Sequence, residues 1–237
     1  MSESLSRWSV LVTAEHGGND VPPEYRELFR GHEDVLASHR GWDPGTLNLA
    51  RSLAKDLGAT PITSTQTRLL VDLNRSAHNP RVFSELTRSL PREERASLLE
   101  RFHRPHWDRV LAAASRGVGN NGLTLHLGVH SFTPVLDGTV RTPDLALLYD
   151  PSRPLELELA TLWADALSDA LPNHEVRRNN PYRGAADGLT SALRRRFAAT
   201  RYLGIEIEVN QRHVGTDGVF PTWVAEALLS TLRRVLS

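Results

Sequence analysis

Short apolar runs rich in β-branched residues alternate along the chain with longer stretches whose apolar residues recur at helical spacing. Such alternation is typical of an α/β domain with a largely parallel sheet. The runs predict strands at 8–14, 68–73, 123–129, 145–148 and 202–209. The helical spacing predicts helices at 46–57, 92–116 with a break at Pro105, 155–171, 189–199 and 223–236. No linker or repeat divides the chain, so we expect one domain, residues 1–237.

The first predicted helix, 46–57, carries start and stop signals. Asp43 is of a type that caps helices, Pro44 suits a first helical position, and Gly58 suits a helix end. Its apolar residues lie on one face, which is expected to pack on the sheet: Leu47, Ala50, Leu53, Ala54 and Leu57. If the Asp43 carboxylate caps this helix, it is not free to bind a metal ion or a substrate.

Composition narrows the possible functions. The chain has no Cys, which excludes disulfides, thiolate nucleophiles and Cys-based zinc sites. Its 28 Lys and Arg balance 28 Asp and Glu, so charge gives no reason to expect binding to nucleic acid or to a membrane. The apolar runs are too short to span a bilayer, and residues 1–9 lack a signal-peptide pattern, so we expect a cytoplasmic protein. Ten His remain as candidate metal ligands, together with oxygen donors.

Polar residues follow the predicted strands at their carboxyl ends, in segments 15–20, 72–75, 130–132 and 208–211. In open parallel sheets the ligand crevice lies at this edge. His16 and His130 each follow an apolar run directly, and two imidazoles brought together there would begin a divalent metal site. The alternative is that both are ordinary polar strand ends. His126 lies inside an apolar run, where a core histidine is expected.

Asn74 and Arg75 form a second candidate element. A guanidinium beside an amide can hold a carboxylate with parallel hydrogen bonds. An ion pair between Arg75 and Asp72 is the alternative. Arg68, at the start of the same predicted strand, is either a further substrate-binding cation or a solvated edge residue.

Two acidic residues share one face of the last predicted strand. Glu206 and Glu208 are two residues apart, with apolar residues on the opposite face. A carboxylate in a buried strand needs a cationic partner or a metal nearby. Glu208 lies nearer the strand end and is the candidate general base, with Glu206 as its structural companion.

The order of these motifs resembles the N-formylglutamate amidohydrolase family. The matching segments are TAEHGGN at 13–19, WDPG at 42–45, RLLVDLNR at 68–75, HSFTP at 130–134, NPYRG at 180–184 and IEIEVNQ at 205–211. The resemblance spans residues 10–212. Zinc carboxypeptidases show a similar order of His, Asp-x-Asn-Arg, His-Ser-aromatic and catalytic Glu.

This resemblance implies a three-layer, zinc carboxypeptidase-like α/β fold with a mostly parallel, mixed central sheet and helices on both faces. It also implies a divalent metal, with zinc as the first choice, held by His16 and His130. The peptidases supply a further ligand as Glu three residues after the first His, where this chain has Asn19. The third ligand is therefore open between Asp43, Glu15 and Asn19.

The implied reaction is hydrolysis of N-formyl-L-glutamate to formate and L-glutamate, a step of histidine degradation. Glu208 would be the base, and Asn74 and Arg75 would hold a substrate carboxylate. Tyr182 and Arg183 would close over the ligand and recognise its second carboxylate, or serve only as a loop anchor. The expected partner is a small dicarboxylate-type substrate, without nucleic acid or membrane.

Three other functions are compatible with the motifs. A related deacylase or carboxypeptidase would keep the chemistry and take another acyl group or amino acid. A non-catalytic ligand-binding member is suggested by the missing Glu at Asn19, and a partner-binding scaffold would use helix 92–116. His103 and His106 flank Pro105, which disturbs their helical register and favours packing or supporting roles over ligation.

Overall fold

Eight strands and seven α-helices form the fold in the computed structural model, which describes residues 8–237. Residues 1–7, on which most of the signal-peptide prediction rests, lie outside the described part. The strands are β1 Ser9–Ala14, β2 Pro61–Thr63, β3 Thr124–Phe132, β4 Val135–Leu136, β5 Thr139–Val140, β6 Leu145–Leu148, β7 Val176–Arg178 and β8 Tyr202–Asn210. The helices are α1 Glu33–Ala37, α2 Thr46–Asp56, α3 Arg92–Leu98, α4 Arg104–Asn121, α5 Pro154–Ala170, α6 Leu189–Arg196 and α7 Thr222–Leu236.

Six strands form the central sheet in the order β2-β1-β3-β8-β6-β7, and β4 pairs with β5 in a separate hairpin. The pairs β1–β2, β1–β3, β3–β8 and β6–β7 are parallel, whereas β6 runs antiparallel to β8. The expected mostly parallel, mixed sheet is confirmed. Because β1, β3 and β8 are parallel neighbours, their carboxyl ends meet at one edge.

Helices cover both faces of the sheet. Helices α2, α5 and α7 pack on one face through a large apolar core that includes Leu53, Trp163 and Leu228. Helices α4 and α6 pack on the other face through a smaller cluster that includes Val110 and Leu193. The three-layer α/β prediction is confirmed. Within residues 8–237, none of the helices combines the length and the apolar character that crossing a membrane requires.

The strand predicted at 68–73 is wrong. This segment is a loop whose Asp72 N–H donates to the carbonyl of Val82 at 2.8 Å, outside the sheet. Its apolar residues fill two small clusters beneath the loop, where Leu70 packs with Leu98 and Leu73 packs with Val82. Apolar content alone does not distinguish such a buried loop from a strand. The edge position beside β1 is taken by β2 instead.

The cap predicted at Asp43 is also wrong. Gly45 occupies the N-cap position of α2 with φ +83°, and the Asp43 side chain makes no capping hydrogen bond. Instead, the Thr46 hydroxyl donates to the backbone carbonyl of Asp43 at 2.7 Å. Gly58, with φ +67°, follows the helix end as expected. The Asp43 carboxylate is therefore available for another role.

The long predicted helix 92–116 is interrupted before Pro105. A π-helical turn, Leu99–His103, separates α3 from α4, and Pro105 lies in the first turn of α4. The backbone stays in the right-handed helical region at Leu98, His103 and Arg104, so Pro105 lies within a continuous helical path, and the π turn is the local distortion that accommodates it. Helix α4 then continues beyond the predicted end to Asn121, and Gly122 ends it with φ +76°.

Candidate metal centre and active site

The functional side chains gather where β1, β3 and β8 end. Glu15 and His16 follow β1 directly, His130 lies near the end of β3, and Glu208 lies near the end of β8. In the β3–β8 pairing, His130 stands opposite Glu208. All four side chains are buried. The loop that contains Asp72 reaches the same place although it is not a strand, because its carboxylate lies 2.8 Å from His16 Nε2.

His16, Asp43 and His130 form a cluster suited to a metal ion. One ligand atom from each lies within 4.8 Å of the others, and the cluster is the one such group of three among the described residues. The Asp43 Oδ2 atom lies 3.4 Å from His16 Nδ1 and 3.1 Å from His130 Nδ1. His16 Nδ1 is buried and has no hydrogen-bond partner in the described structure. An unpaired buried imidazole nitrogen beside a second imidazole and a carboxylate is what a metal site requires.

Two further carboxylates lie behind the imidazoles. Asp72 Oδ1 lies 2.8 Å from His16 Nε2, and Glu15 Oε2 lies 3.5 Å from His130 Nε2. Metal-ligating His commonly directs its second ring nitrogen to a carboxylate, which fixes the ring and its tautomer. Both Nε2 atoms are placed in this way, so both Nδ1 atoms face Asp43. The donor set fits a divalent metal on these grounds.

Electrostatics point in the same direction. Although burial opposes it, the Arg68 guanidinium and the two neighbouring imidazoles hold the pKa of Asp43 well below its usual range. Although burial opposes this as well, hydrogen bonding to Asp43 and the charge of Glu15 raise the pKa of His130 to about 10. The surrounding carboxylates therefore stabilise a cation at this position, and a bound metal would take the place of that proton.

The three candidates for the third metal ligand occupy different positions relative to the two imidazoles. Asp43 shares one oxygen between the two imidazoles. Glu15 stands behind His130, where its other oxygen lies 3.4 Å from His106 Nε2. Asn19 donates through Nδ2 to the carbonyl of Leu36 at 3.0 Å. The geometry thus favours Asp43 as the ligand over Glu15 and Asn19.

Glu208 has the environment of an acid–base group. Burial raises its pKa to about 8, against the opposing charge of His130. Its Oε2 atom is buried and has no hydrogen-bond partner among the described residues. Its neighbour Glu206, by contrast, accepts a hydrogen bond from the Thr190 hydroxyl at 2.8 Å. Both acidic residues of β8 line the cavity, but they differ: Glu206 is held by a hydroxyl, whereas Glu208 has an unpaired buried oxygen.

A cavity of about 210 Å³ opens onto these groups. It brings together the metal cluster, Glu208 and all five residues predicted to bind substrate: Arg68, Asn74, Arg75, Tyr182 and Arg183. His39 and Asp187 also line it, and neither was predicted. Both lie in irregular segments, where periodicity gives no signal. The cavity is small, which favours a ligand of few atoms.

The three arginines predicted to bind substrate differ in how far other residues already hold their side chains. Arg68 forms an ion pair with Asp43 and is not a solvated edge residue. Arg75 Nη1 donates to the carbonyl of Asp187 at 3.1 Å, and its Nε lies 3.8 Å from Asp72. The alternative ion pair with Asp72 therefore exists, at the long end of such contacts. Arg183 is exposed at the mouth of the cavity.

Asn74 also supports a helix. Its Oδ1 accepts a hydrogen bond from the backbone N–H of Leu189, the first residue of α6, at 3.0 Å. This bond satisfies one of the N–H groups that a helix start leaves without an intrahelical partner. Because the oxygen is engaged, the amide nitrogen is the group of Asn74 that remains for a ligand.

Tyr182 is held by a residue that the sequence did not indicate. Arg141, which follows the β4–β5 hairpin, donates through Nη1 to the Tyr182 hydroxyl at 2.8 Å. Its guanidinium also lies 5.0 Å from the centre of the Tyr182 ring. Tyr182 nevertheless keeps 43% of its surface exposed at the cavity rim. The hairpin therefore braces the loop over the cavity.

His126 has the structural role expected of it. Its ring is fully buried and lies 2.9 Å from the Thr13 hydroxyl and 2.7 Å from the Tyr202 hydroxyl. Burial lowers the pKa of His126 to about 4, so the ring is neutral at physiological pH. Both ring nitrogens have partners, and the residue is a satisfied core histidine.

Known proteins resemble this chain in both fold and sequence. A gene product from Agrobacterium tumefaciens superposes with a TM-score of 0.78 at 27% identity, over 99% of this chain and 95% of its own. An N-formylglutamate amidohydrolase from Ralstonia eutropha shares the fold with a TM-score of 0.71 at 20% identity, over 95% of this chain and 92% of its own. No curated protein sequence matches significantly. The family model described as N-formylglutamate amidohydrolase matches residues 8–214, and the chain belongs to this family.

Proposed function

We propose that this protein is a metal-dependent amidohydrolase that cleaves N-formyl-L-glutamate to formate and L-glutamate. Membership of the family supports an amidohydrolase function. The observation that carries the finer proposal is that one small cavity holds the His16, Asp43 and His130 cluster, an unpaired buried Glu208 and several cationic side chains. These are the groups needed to hydrolyse an amide and to hold an anionic substrate.

The metal would be held by two imidazole nitrogens and one carboxylate oxygen. This donor set, with a position left for water or substrate, is typical of catalytic zinc sites. The chemistry that zinc supplies when bound is Lewis-acid polarisation of the formyl oxygen and acidification of water. His16, Asp43 and His130 are the proposed ligands.

Glu208 is the proposed general base and general acid. Its carboxylate would take a proton from the attacking water as the new C–O bond forms at the formyl carbon. It would then give this proton to the amino acid nitrogen as the C–N bond breaks, so that formate and the free amine leave. Its unpaired oxygen and its position opposite His130 support this role.

The cationic side chains would orient the substrate. Arg75 and Asn74 Nδ2 are proposed to hold one carboxylate of the substrate, and Tyr182 with Arg183 the other. Arg68 lines the same cavity while it is paired with Asp43, so it would act on substrate and ligand together. Holding both carboxylates fixes the formyl group over the metal cluster, which turns binding energy into orientation.

Removing the metal should abolish activity. We expect dialysis against a chelator to eliminate formate release from N-formyl-L-glutamate, and one equivalent of zinc to restore it, because the Lewis acid is needed for attack. N-formyl-L-aspartate and N-acetyl-L-glutamate, assayed in parallel by release of the free amino acid, test the length of the amino acid and the acyl group. Formate release that is insensitive to the chelator would contradict the metal-dependent reaction. Turnover of another substrate alone would reassign the specificity.

Asn74→Asp should impair substrate binding selectively. The new carboxylate keeps an acceptor for the Leu189 N–H but replaces the proposed amide donor with a group that repels the substrate carboxylate. A hydrogen bond to a charged group is worth about 1.5–3 kcal/mol, so KM should rise roughly 10- to 100-fold. Steady-state kinetics with N-formyl-L-glutamate measure this.

Asn74→Ala provides the comparison, because it removes the helix contact as well and should also lower the unfolding temperature. If Asn74→Asp leaves KM unchanged, Asn74 is only a support for α6.

A further inference from the structure

Three polar rings lie together at the start of α4, behind the cavity. His103 ends the π-helical turn, and His106 and Trp107 follow three and four residues later in α4. Residues at these spacings are neighbours on one helix face. The rings of His103 and Trp107 stack with 5.0 Å between their centres and 21° between their planes. We call these three residues the α4 platform.

Two platform rings bind the loop that carries the proposed substrate-binding residues. Trp107 Nε1 donates to the carbonyl of Leu73 at 2.7 Å, and His103 Nε2 lies 2.8 Å from the carbonyl of Arg75. The two carbonyls flank Asn74. The segment is not part of the sheet. These side chains therefore contact backbone carbonyls that a neighbouring strand would otherwise pair with.

The third ring reaches the metal cluster through one intermediate. His106 Nε2 lies 3.4 Å from Glu15 Oε1, and the other oxygen of Glu15 lies 3.5 Å from His130 Nε2. Glu15 is 1% exposed and His106 is 5% exposed. Both side chains are enclosed, and the two oxygens of Glu15 lie one beside His106 and the other beside His130.

We propose that the α4 platform positions the two halves of the site relative to each other, with His103 and Trp107 holding the substrate-binding loop and His106 holding His130 through Glu15. All three are positioning residues, since none of them lines the cavity. The consequence for turnover rests on the proposed function. The consequence for metal affinity rests on the proposed metal ligands, whereas the consequence for loop order rests on neither proposal.

The first test uses Trp107→Phe, which removes the indole N–H and keeps an aromatic ring. Small misplacements of orienting groups have large kinetic costs. We therefore expect KM for N-formyl-L-glutamate to rise roughly 10-fold with a smaller change in kcat, and zinc content to stay unchanged. Backbone amides of 72–79 should exchange hydrogen faster, as measured by mass spectrometry. His103→Leu should act in the same direction, and His103→Gln, which keeps an N–H donor, should restore much of the loss.

Trp163→Phe is the matched control. Its indole N–H donates to the Thr231 hydroxyl at 3.0 Å, in the packing of α5 on α7, away from the cavity. This variant also loses a buried indole hydrogen bond, so it should lose stability but keep KM and the exchange of 72–79. If Trp107→Phe behaves like Trp163→Phe, the ring is structural and the loop-positioning half of the proposal is wrong.

The second test addresses His106. A partner that stands behind a metal ligand typically contributes 10- to 100-fold to metal affinity. Glu15 is such a partner of His130, and His106 acts only through Glu15. We therefore expect His106→Leu to weaken zinc binding, measured by competition with a chromophoric chelator, by a factor at the lower end of this range, about 10-fold. His106→Gln, which can still donate to Glu15, should weaken it less. If His106→Leu does not fold, His106→Met, which also lacks a hydrogen-bond donor, replaces it in the comparison.

Zinc affinity equal to that of the unmodified protein in a folded His106 variant without a donor to Glu15 would overturn this half of the proposal. Exchange and zinc titration need no turnover. If the unmodified protein fails to hydrolyse N-formyl-L-glutamate, the proposed function fails, whereas the platform is still judged by these two measurements.

Discussion

Glu208→Gln should reduce kcat for N-formyl-L-glutamate by about three orders of magnitude, within the 10²–10⁴-fold range of general acid–base catalysis. The amide is nearly isosteric with the carboxyl group but cannot accept and return a proton. Because Glu208 is not part of the metal cluster, zinc content should stay at one equivalent. KM should change little. The measurements are steady-state kinetics of formate release and elemental analysis of the same preparation.

Glu206→Gln is the control for this experiment. It alters a carboxyl group two residues earlier on the same face of β8, but one that is bonded to the Thr190 hydroxyl. Its activity should stay within a few-fold of the unmodified protein. Full activity of Glu208→Gln would remove Glu208 as the base. An equal loss in both variants would mean that negative charge in β8, and not proton transfer, matters.

The sheet could be predicted from sequence where its strands are buried on both faces. β3, β6 and β8 are buried along nearly their whole length, and their apolar residues are visible in the sequence as a continuous run in β6 and as alternation with polar residues in β3 and β8. The same signal failed at 68–73 because a loop over a small apolar cluster has the same composition as a buried strand. The three-residue strands β2 and β7 are too short to show a period.

The order of strands and polar residues along the chain predicted that the candidate site residues lie close together. Parallel strands end at one edge, so apolar runs followed by His16, His130 and Glu208 indicate a common location. What the sequence could not show is contact between residues far apart in the chain. The Asp43 carboxylate lies between two imidazoles that are 114 positions apart. The local pattern around Asp43 indicated a helix cap, and only the family resemblance made it one of three candidates for the third metal ligand.

The contacts of the α4 platform could not be predicted from the sequence either, because they also join residues far apart in the chain. The sequence marks His103 and His106 as a pair, with Pro105 between them favouring packing or supporting roles over ligation. Their actual partners are a backbone carbonyl of Arg75 and the carboxylate of Glu15. Backbone carbonyls carry no residue type, so a contact to one of them leaves no mark in the sequence.

Asp43→Asn should remove the metal. The amide is a poor zinc ligand and adds no negative charge, so the cluster would keep two imidazoles and lose the oxygen that lies between them. At a free zinc concentration that saturates the unmodified protein, the variant should retain less than about one tenth of an equivalent. Formate release should fall in proportion, because each active molecule needs a bound ion. Elemental analysis and kinetics on zinc-buffered samples measure both quantities.

Two other substitutions decide whether Asp43 is a ligand or only a partner of Arg68 and the imidazoles. Asp72→Asn removes a carboxylate that stands behind His16, and such partners typically contribute 10- to 100-fold to metal affinity. Asn19→Ala removes the residue at the position where carboxypeptidases carry a ligand, although here it is bonded to the Leu36 carbonyl. A ligand role for Asp43 requires a loss of zinc affinity greater than that of Asp72→Asn, and no loss in Asn19→Ala. If Asp43→Asn loses no more affinity than Asp72→Asn, Asp43 acts from behind the imidazoles and another group completes the site.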